Sequence, residues 1–341
     1  MASFLNRQIV VAARPEGNAK LSDFDVVERE VPALSAGDVL CRNLLISIDP
    51  YQRNLMGNAA SELPPIALGQ PMSGPTVAVV EQSNHPDFAA GDHVVAWSGW
   101  QLYGMSDGSD LRKIDPNVAA LSTALSVLGH TGFTAWLGIT KFMDAKPGTT
   151  LVVTAAAGAV GSLAAQLAKL RGMRVVGIAG GQDKVRYLKE TLGLDDAVDY
   201  KAPDFAEQLS RALPQGLDAL LDNVGGRLFE ALMPHFNLRA QVVIAGLISQ
   251  YAQTGNVPGP NRLPELLTLF LYRFINIQSF AMPDHVGDYA QFLDEMTPLV
   301  TQGKIRYNEE FVEGFDGIPT AFMRLFDQNN ANRGKLIARL N

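Results

Sequence analysis

Between Leu151 and Leu170 the chain passes from apolar and β-branched residues, through Ala155-Ala156-Ala157-Gly158-Ala159-Val160-Gly161-Ser162, into an alanine- and leucine-rich segment. Residues this small let backbone N–H groups approach pyrophosphate oxygens, and a helix that starts there adds partial positive charge. In the G-x-G-x-x-G register the three positions fall to Ala156, Gly158 and Gly161, with alanine in place of the first glycine. An ordinary strand-turn-helix packed by alanines would use similar residues. The following apolar run, Arg174–Ile178, completes a βαβ unit of the length a dinucleotide site requires.

The second strand bears on the cofactor. An NAD site places Asp or Glu about twenty residues past the fingerprint, to accept hydrogen bonds from the ribose 2′-hydroxyl. That place holds Gly180 and Gly181, followed by Gln182, Asp183 and Lys184. The glycines leave room for a 2′-phosphate, and Lys184 in the first turn of the next helix can neutralise it, which favours NADP. Lys184 also fits a solvated helix face, and Asp183 beside it works against a purely basic pocket.

Metal chemistry finds little support in the residues. A catalytic zinc needs three N, S or O ligands and an open position, and a structural zinc usually needs four closely spaced Cys or His. Cys41 stands alone, and His85, His93, His130, His235 and His285 are scattered without paired spacing. Cys41 reads as a small apolar group in a strand. Nor is there a Tyr-x-x-x-Lys arrangement: Tyr187 with Lys189, and Tyr200 with Lys201, have the wrong spacing.

The elements that must hold these residues come in two textures. Up to about residue 125, short runs such as Val39–Ile48, Gly74–Val80 and His93–Trp97 are separated by Pro, Gly, Asn and Asp, as in a β-rich barrel or sandwich. Beyond it, strand-like Val175–Ile178, Ala197–Tyr200, Leu217–Leu221 and Gln241–Ala245 alternate with helix-like Lys184–Leu192 and Phe205–Leu213. That order predicts a doubly wound parallel sheet. Glu309–Val312 and Lys335–Leu340, around a short helix, return to the first texture. The expected α/β organisation is therefore a β-rich domain from 1–125 with 306–341, and a Rossmann domain over 126–305. A substrate site is expected at the carboxyl ends of the sheet strands, facing the β-rich domain.

The 341 residues are 47% apolar and 18% charged, enough for two sizeable cores. The net charge of −7 comes without a basic stripe, which argues against nucleic acid as a partner. Met1–Arg7 lacks an uninterrupted apolar core of signal-peptide length. The greasiest segment, Leu266–Ile275, carries Thr268, Tyr272 and Arg273 and is too short to span a bilayer. A single cysteine is consistent with a reducing cytoplasm.

Several motifs taken in order carry a family resemblance. Ala155 to Ser162, Val198-Asp199-Tyr200-Lys201, Asp222-Asn223-Val224-Gly225-Gly226, Ala245 to Tyr251, and Ser47-Ile48-Asp49-Pro50-Tyr51-Gln52-Arg53 together resemble the zinc-independent medium-chain dehydrogenase/reductase superfamily. Within it the similarity is to the branch of prostaglandin reductases, leukotriene 12-hydroxydehydrogenases and alkenal double-bond reductases. The resemblance covers nearly the whole chain and implies a GroES-like β-rich domain plus a Rossmann domain.

It further implies NADPH-dependent reduction of the carbon–carbon double bond of α,β-unsaturated ketones or aldehydes. A quinone reductase is the enzymatic alternative, and a dinucleotide-binding redox sensor the non-enzymatic one. A cytoplasmic homodimer acting on a small enone or enal is expected. Carried over by position, Gly158, Ala159, Val160 and Gly161 hold the pyrophosphate, and Lys184 and Tyr200 flank the 2′-phosphate. Asn223, the turn Gly246-Leu247-Ile248-Ser249 with Tyr251, and Asn332 from the C-terminal segment approach the cofactor. Phe280, Ala281 and Met282 line the carboxamide region. For either asparagine, turn chemistry is the competing reading.

Two positions depart from the family. Its Gly-Met-Pro-Gly-like turn reads Gly129-His130-Thr131-Gly132, where His130 either stands near the nicotinamide or caps a turn, and the Tyr-Asn pair reads Tyr251-Ala252. Double-bond reduction needs donors for the enolate oxygen and a proton for the α-carbon. Tyr272 is the first candidate, by its match to the family segment preceding Phe280. Its neighbours Leu269, Phe270 and Leu271 equally suit an interfacial aromatic on an amphipathic helix. Tyr51 is the second candidate, as a pocket wall or anchor.

Overall fold

The computed structural model describes residues 4–57, 64–144, 146–253, 260–327 and 331–340. Contacts divide the chain into two compact units: Met1–Gly129, Tyr251–Gly255 and Glu309–Asn341 form one, and His130–Gln250 with Asn256–Asn308 the other.

The first unit is β-rich. Strands β1 (Leu5–Val11) and β2 (Phe24–Glu30) form an antiparallel ribbon. The ten-residue β3 (Val39–Ile48) pairs with β4 (Thr76–Ser83) and with β6 (Tyr103–Ser106), while β5 (His93–Ala96) joins β4 to β7 (Arg112–Lys113). Pro50 ends β3 by removing a ladder donor, and the chain turns into the short helix α1 (Gln52–Leu55). The core beneath is aromatic: the Trp100 ring lies 5.7 Å from Phe24 and 5.4 Å from Phe322. Truncating Trp100, which is fully buried, to alanine would cost about 3–5 kcal/mol.

The second unit holds a six-stranded sheet. Helix α2 (His130–Thr140) precedes β8 (Thr150–Thr154), α3 (Ala159–Leu170) and β9 (Arg174–Ala179). Then come α4 (Gln182–Arg186), β10 (Asp196–Asp199), α5 (Phe205–Ala212), β11 (Leu217–Asp222), α6 (Gly226–Leu232) and β12 (Phe236–Ile244). Helix α7 (Leu263–Arg273), β13 (Asn276–Ser279) and α8 (Tyr289–Thr301) complete it. The order is β10-β9-β8-β11-β12-β13 with every pair parallel. All five residues of β8 are buried, as a parallel strand covered on both faces requires. Winding reverses between β8 and β11, so the ligand crevice of such a sheet opens beyond Thr154 and Asp222. The chain then returns to the β-rich unit as β14 (Glu309–Glu313), α9 (Ile318–Arg324) and β15 (Lys335–Arg339), with β15 laid antiparallel on β3.

The doubly wound sheet and the β-rich unit match the fold read from sequence, with local differences. The helix expected from Lys184 starts at Gln182, because Gly181 at φ +97° turns the chain directly after β9. It widens into a π-helical turn over Tyr187–Thr191. Strand β12 begins five residues before the expected Gln241, since Arg239 at φ +64° interrupts the alternation that marks a strand. The greasy Leu266–Ile275 segment falls mainly on α7, where Leu263, Leu267 and Leu271 are exposed. No helix among the described residues is long and apolar enough to cross a membrane.

Candidate functional site

The turn after β8 is built from backbone. Ala155 sits at φ +47°, Gly158 N–H donates to the Ala155 carbonyl at 2.9 Å, and Gly158 caps α3 without a side-chain bond. A Cβ on Gly161 would come 2.4 Å from the Ala155 carbonyl oxygen, so only glycine fits. One on Gly158 would meet the same oxygen at 3.2 Å. At the first fingerprint position Ala156 is fully buried, and its methyl is accommodated by Gly177 of β9, whose own Cβ would lie 3.0 Å from it. The methyl carried by the turn at Ala156 is matched by the absence of one at Gly177 in β9. A close-packed turn at the start of a twelve-residue helix, with Ala159 and Val160 in the first turn, fits a pyrophosphate.

At the end of β9, the side chains over Gly180 come from the segment after β10. A Cβ on Gly180 would meet a Tyr200 ring carbon and Lys201 Cε, each at 2.8 Å. Burial, and then the nearby Asp199 carboxylate, push the Tyr200 phenol above its ordinary pKa, so it stays a neutral donor. Asp199 shapes the corner by accepting from Gly181 N–H at 2.8 Å and Lys201 N–H at 3.0 Å. Lys184 lies in the first turn of α4, half-buried. From sequence Lys201 stood only in the Val198–Lys201 motif and was given no phosphate role; a second cation directly after Tyr200 was the available signal.

Asp222, fully buried at the end of β11, ties the neighbouring loops together. Its carboxylate accepts from Thr154 Oγ1 at 2.6 Å, Val224 N–H at 3.0 Å and Gly225 N–H at 3.1 Å. Its backbone carbonyl accepts from Ala245 N–H at 2.8 Å and Gly246 N–H at 3.1 Å. Asn223 is fastened to the same strand end: Nδ2 donates to the Thr154 carbonyl at 2.8 Å, and its N–H to Thr154 Oγ1 at 2.8 Å. The 246–249 turn closes on this loop, with Ile248 N–H on the Asn223 carbonyl at 3.2 Å and Ser249 Oγ on the Val224 carbonyl at 2.6 Å. Leu247 packs toward Gly225, whose Cβ would come 2.7 Å from Leu247 Cδ2. The strand ends that flank the switch point are thus one hydrogen-bonded unit. Asp222 read from sequence only as part of a motif.

Beyond β13, the Phe280 ring stacks on Phe142 at 4.8 Å, and half-buried Ala281 and Met282 follow it. His130 opens α2. Tyr272 lies on α7 with 71% of its surface exposed, beside exposed Leu271.

In the β-rich unit the segment after β3 is held residue by residue. Lys335 Nζ donates to Asp49 Oδ1 at 2.8 Å and to the Ile48 and Leu336 carbonyls at 2.9 and 3.1 Å. Ser47 Oγ donates to the other Asp49 oxygen. Gln52 Oε1 accepts from Asp49 N–H at 2.9 Å, and its Nε2 donates to the Ser73 carbonyl at 2.8 Å. Buried Arg53 donates to the Pro15 and Gly17 carbonyls. Tyr51, between these anchors, has its hydroxyl oxygen buried. Burial, and then the charge of Asp49, raise its pKa well above the ordinary phenol value. Asn332 is half-buried three residues before Lys335, and Tyr251 begins the short Tyr251–Gly255 piece of this unit. Neither Asp49 nor Lys335 was singled out from sequence.

Among the described residues no group of three or more His, Cys, Asp or Glu is placed to hold a metal ion. Burial raises the Cys41 thiol to about 12, with a smaller contribution from Asp110, as suits an inert core cysteine. A parallel sheet with a small-residue turn at its switch point, in a chain that also holds a β-rich unit, defines a two-unit dinucleotide-dependent oxidoreductase.

The comparisons narrow that class. Residues 7–114 match the family of the N-terminal domain of oxidoreductases, and residues 159–297 the zinc-binding dehydrogenase family. The chain is 42% identical to the NADPH-dependent curcumin reductase of Escherichia coli over 98% of this chain and 97% of the relative. It is 34% identical to the NADP(+)-dependent 2-alkenal reductase of Nicotiana tabacum, over 96% of each chain. The crystal structure of CurA in complex with NADPH from Vibrio vulnificus superposes with a TM-score of 0.93 at 42% identity, covering 98% of this chain and 99% of that one. The chain belongs to the zinc-independent branch of the medium-chain dehydrogenase/reductase superfamily, the branch that also holds prostaglandin reductase 1.

Proposed function

We propose that this protein is an NADPH-dependent reductase of the carbon–carbon double bond of α,β-unsaturated ketones and aldehydes. The observation that carries the reading is the turn at Ala155–Gly161, closed so tightly on the Ala155 carbonyl that a side chain at Gly161 does not fit. The full-length similarity to curcumin and 2-alkenal reductases supports the substrate class.

NADPH, when bound, supplies the hydride that adds to the β-carbon. The turn 158–161 orients the pyrophosphate, and Lys184 with Tyr200 takes the 2′-phosphate. Asn223, Gly246–Ser249 and Phe280–Met282 are assigned to the rest of the cofactor on the parallel-sheet unit, and Tyr251 and Asn332 are assigned to it by the sequence resemblance. Residues 126–305 form the cofactor domain, and 1–125 with 306–341 the substrate domain.

For the enolate oxygen we put Tyr51 ahead of Tyr272. A desolvated hydroxyl held between fixed anchors is a preorganised donor, whereas a side chain exposed as Tyr272 is must be reorganised from water. The protein works as a homodimer in the cytoplasm; the exposed leucines of α7 and the single cysteine support that reading.

A panel of enones, enals, quinones and simple aldehydes, followed by NADPH consumption, tests the function. Enones and enals are expected to be reduced at the double bond and simple aldehydes left untouched. Turnover confined to quinones would replace this reading with a quinone reductase. Chelator treatment is expected to leave the rate unchanged.

A further inference from the structure

The Lys335–Asp49 pair is buried at both ends, with side chains 2% and 4% exposed. Such a pair is weak support for stability, because desolvation of two charges offsets most of their attraction. Burial pulls the Lys335 ammonium below its ordinary pKa, while Asp49, by charge and hydrogen bond, and then Glu309 hold it up. An apolar pair of similar volume would fill the space at no greater cost. The location of the pair gives it another use.

In the ladder between β15 and β3, Leu336 is opposite Ile48. Lys335 and Asp49 occupy the next position, where β3 ends before Pro50 and backbone pairing stops. The ammonium also takes the Ile48 carbonyl, so the ion pair continues the ladder by side chains for one more step. On one side of it lies Tyr51, two residues past Asp49. On the other, Gly334 at φ +73° turns the chain from Asn332 into β15. The pair joins the segment carrying the candidate substrate donor to the segment carrying a candidate cofactor contact. Tyr51 is confined from its other side by Gly74, where an added Cβ would come 2.5 Å from Gln52 Nε2 and 3.8 Å from the Tyr51 hydroxyl.

We propose that Lys335 and Asp49 are positioning residues for the reaction: their buried pair fixes the Asp49–Arg53 segment on the C-terminal strand and thereby sets where the Tyr51 hydroxyl stands. This rests on the double-bond reductase reading, in which Tyr51 meets the substrate. Its directional geometry is what an apolar pair lacks, since an ammonium bonded to three oxygens fixes both position and orientation.

The experiment replaces the pair rather than breaking it, because removing one partner strands a buried charge and unfolds the site. Lys335→Met with Asp49→Leu, made together, is compared with wild type and with Lys335→Arg for thermal midpoint, NADPH affinity by fluorescence, and kcat and KM on one enone. The double variant is expected to keep its fold and bind NADPH within about twofold, with kcat reduced at least about tenfold. Placed in a Tyr51→Phe background, the same double change is expected to add little further loss, because both act through one hydroxyl.

A folded double variant with wild-type kcat would overturn the proposal, as would a full additional loss in the Tyr51→Phe background. If the double variant does not fold, Lys335→Arg carries the test: it keeps the charge, and a kcat fall that vanishes in the Tyr51→Phe background supports positioning. Wild-type kcat in Lys335→Arg overturns it. Wild-type protein that reduces no enone would overturn the function itself, and that is seen before any variant is made.

Discussion

The cofactor turn and the Asp49–Lys335 clamp hold their residues in opposite ways. The turn is contiguous, carries almost no side-chain chemistry, and works because atoms are missing: without side chains, Gly161 and Gly158 let the backbone close on the Ala155 carbonyl. The clamp joins residues 286 positions apart and consists of side chains donating and accepting in the interior. A phosphate is recognised by dipoles that the backbone supplies everywhere, so excluding bulk is enough. An enolate oxygen needs one donor at one place, and a strand end has to be fastened to keep it there.

If that contrast is right, removing one hydroxyl should matter most. Tyr51→Phe is expected to lower kcat about ten- to a thousandfold with NADPH affinity unchanged, the range for a lost oxyanion donor or proton source. Tyr272→Phe, on the same enone, is expected to change kcat by less than about threefold, because its side chain is exposed. Full activity in Tyr51→Phe together with a large loss in Tyr272→Phe would return the role to Tyr272 and break the comparison on the side-chain side.

The backbone side is broken by adding atoms. Gly161→Val is expected to weaken NADPH binding about five- to a hundredfold, since overpacking against the Ala155 carbonyl costs about 1–3 kcal/mol and every 1.4 kcal/mol is tenfold. The measurement is a fluorescence titration, with circular dichroism to establish that the sheet survives. Unchanged affinity would mean that the turn does not carry the pyrophosphate.

Between the two lies Asp222, a side chain that serves a backbone site. Asp222→Ala leaves the N–H groups of Val224 and Gly225 and the Thr154 hydroxyl without their acceptor, at about 2–3 kcal/mol of stability by denaturant titration. Asp222→Asn keeps one acceptor oxygen and is expected to recover part of that. Equal midpoints for wild type and Asp222→Ala would show that the loops are held by packing alone.

How much of this could be read from the sequence follows from the same contrast. Strand β3 was expected over Val39–Ile48 and forms there, because a mainly apolar run bounded by turn residues is a local signal. The parallel sheet was legible from the alternation of such runs with helical ones. The Ala156–Gly177 match was not, since it needs the register of β8 on β9. The β1–β2 ribbon left no clear alternation, as β2 is exposed along most of its length. Lys335 looked like an ordinary lysine because nothing within a few residues of it shows that it will be buried against Asp49. Tyr272 stood ahead of Tyr51 on a family match, and burial, which the sequence does not display, reverses that order in our reading.

The effect expected at Lys184 is the most selective. Lys184 is half-buried at the start of α4, close in sequence to the Gly180–Gly181 corner over which Tyr200 and Lys201 lie. A lysine charge on a phosphate in so accessible a place contributes about 1–1.5 kcal/mol, so Lys184→Ala is expected to raise the Kd for NADPH about tenfold. NADH lacks the 2′-phosphate, and its affinity should stay within a factor of about two. Raising the salt concentration should narrow the NADPH difference between wild type and variant, because a half-exposed ion pair is screened, while a packing contact would not respond. Lys201→Ala, tested beside it, separates two arrangements: comparable losses divide the phosphate between both cations, and a loss confined to Lys201 transfers it there. Equal weakening of NADPH and NADH by Lys184→Ala would mean that the lysine supports the fold of the corner and not the phosphate, leaving cofactor choice to the open space at Gly181.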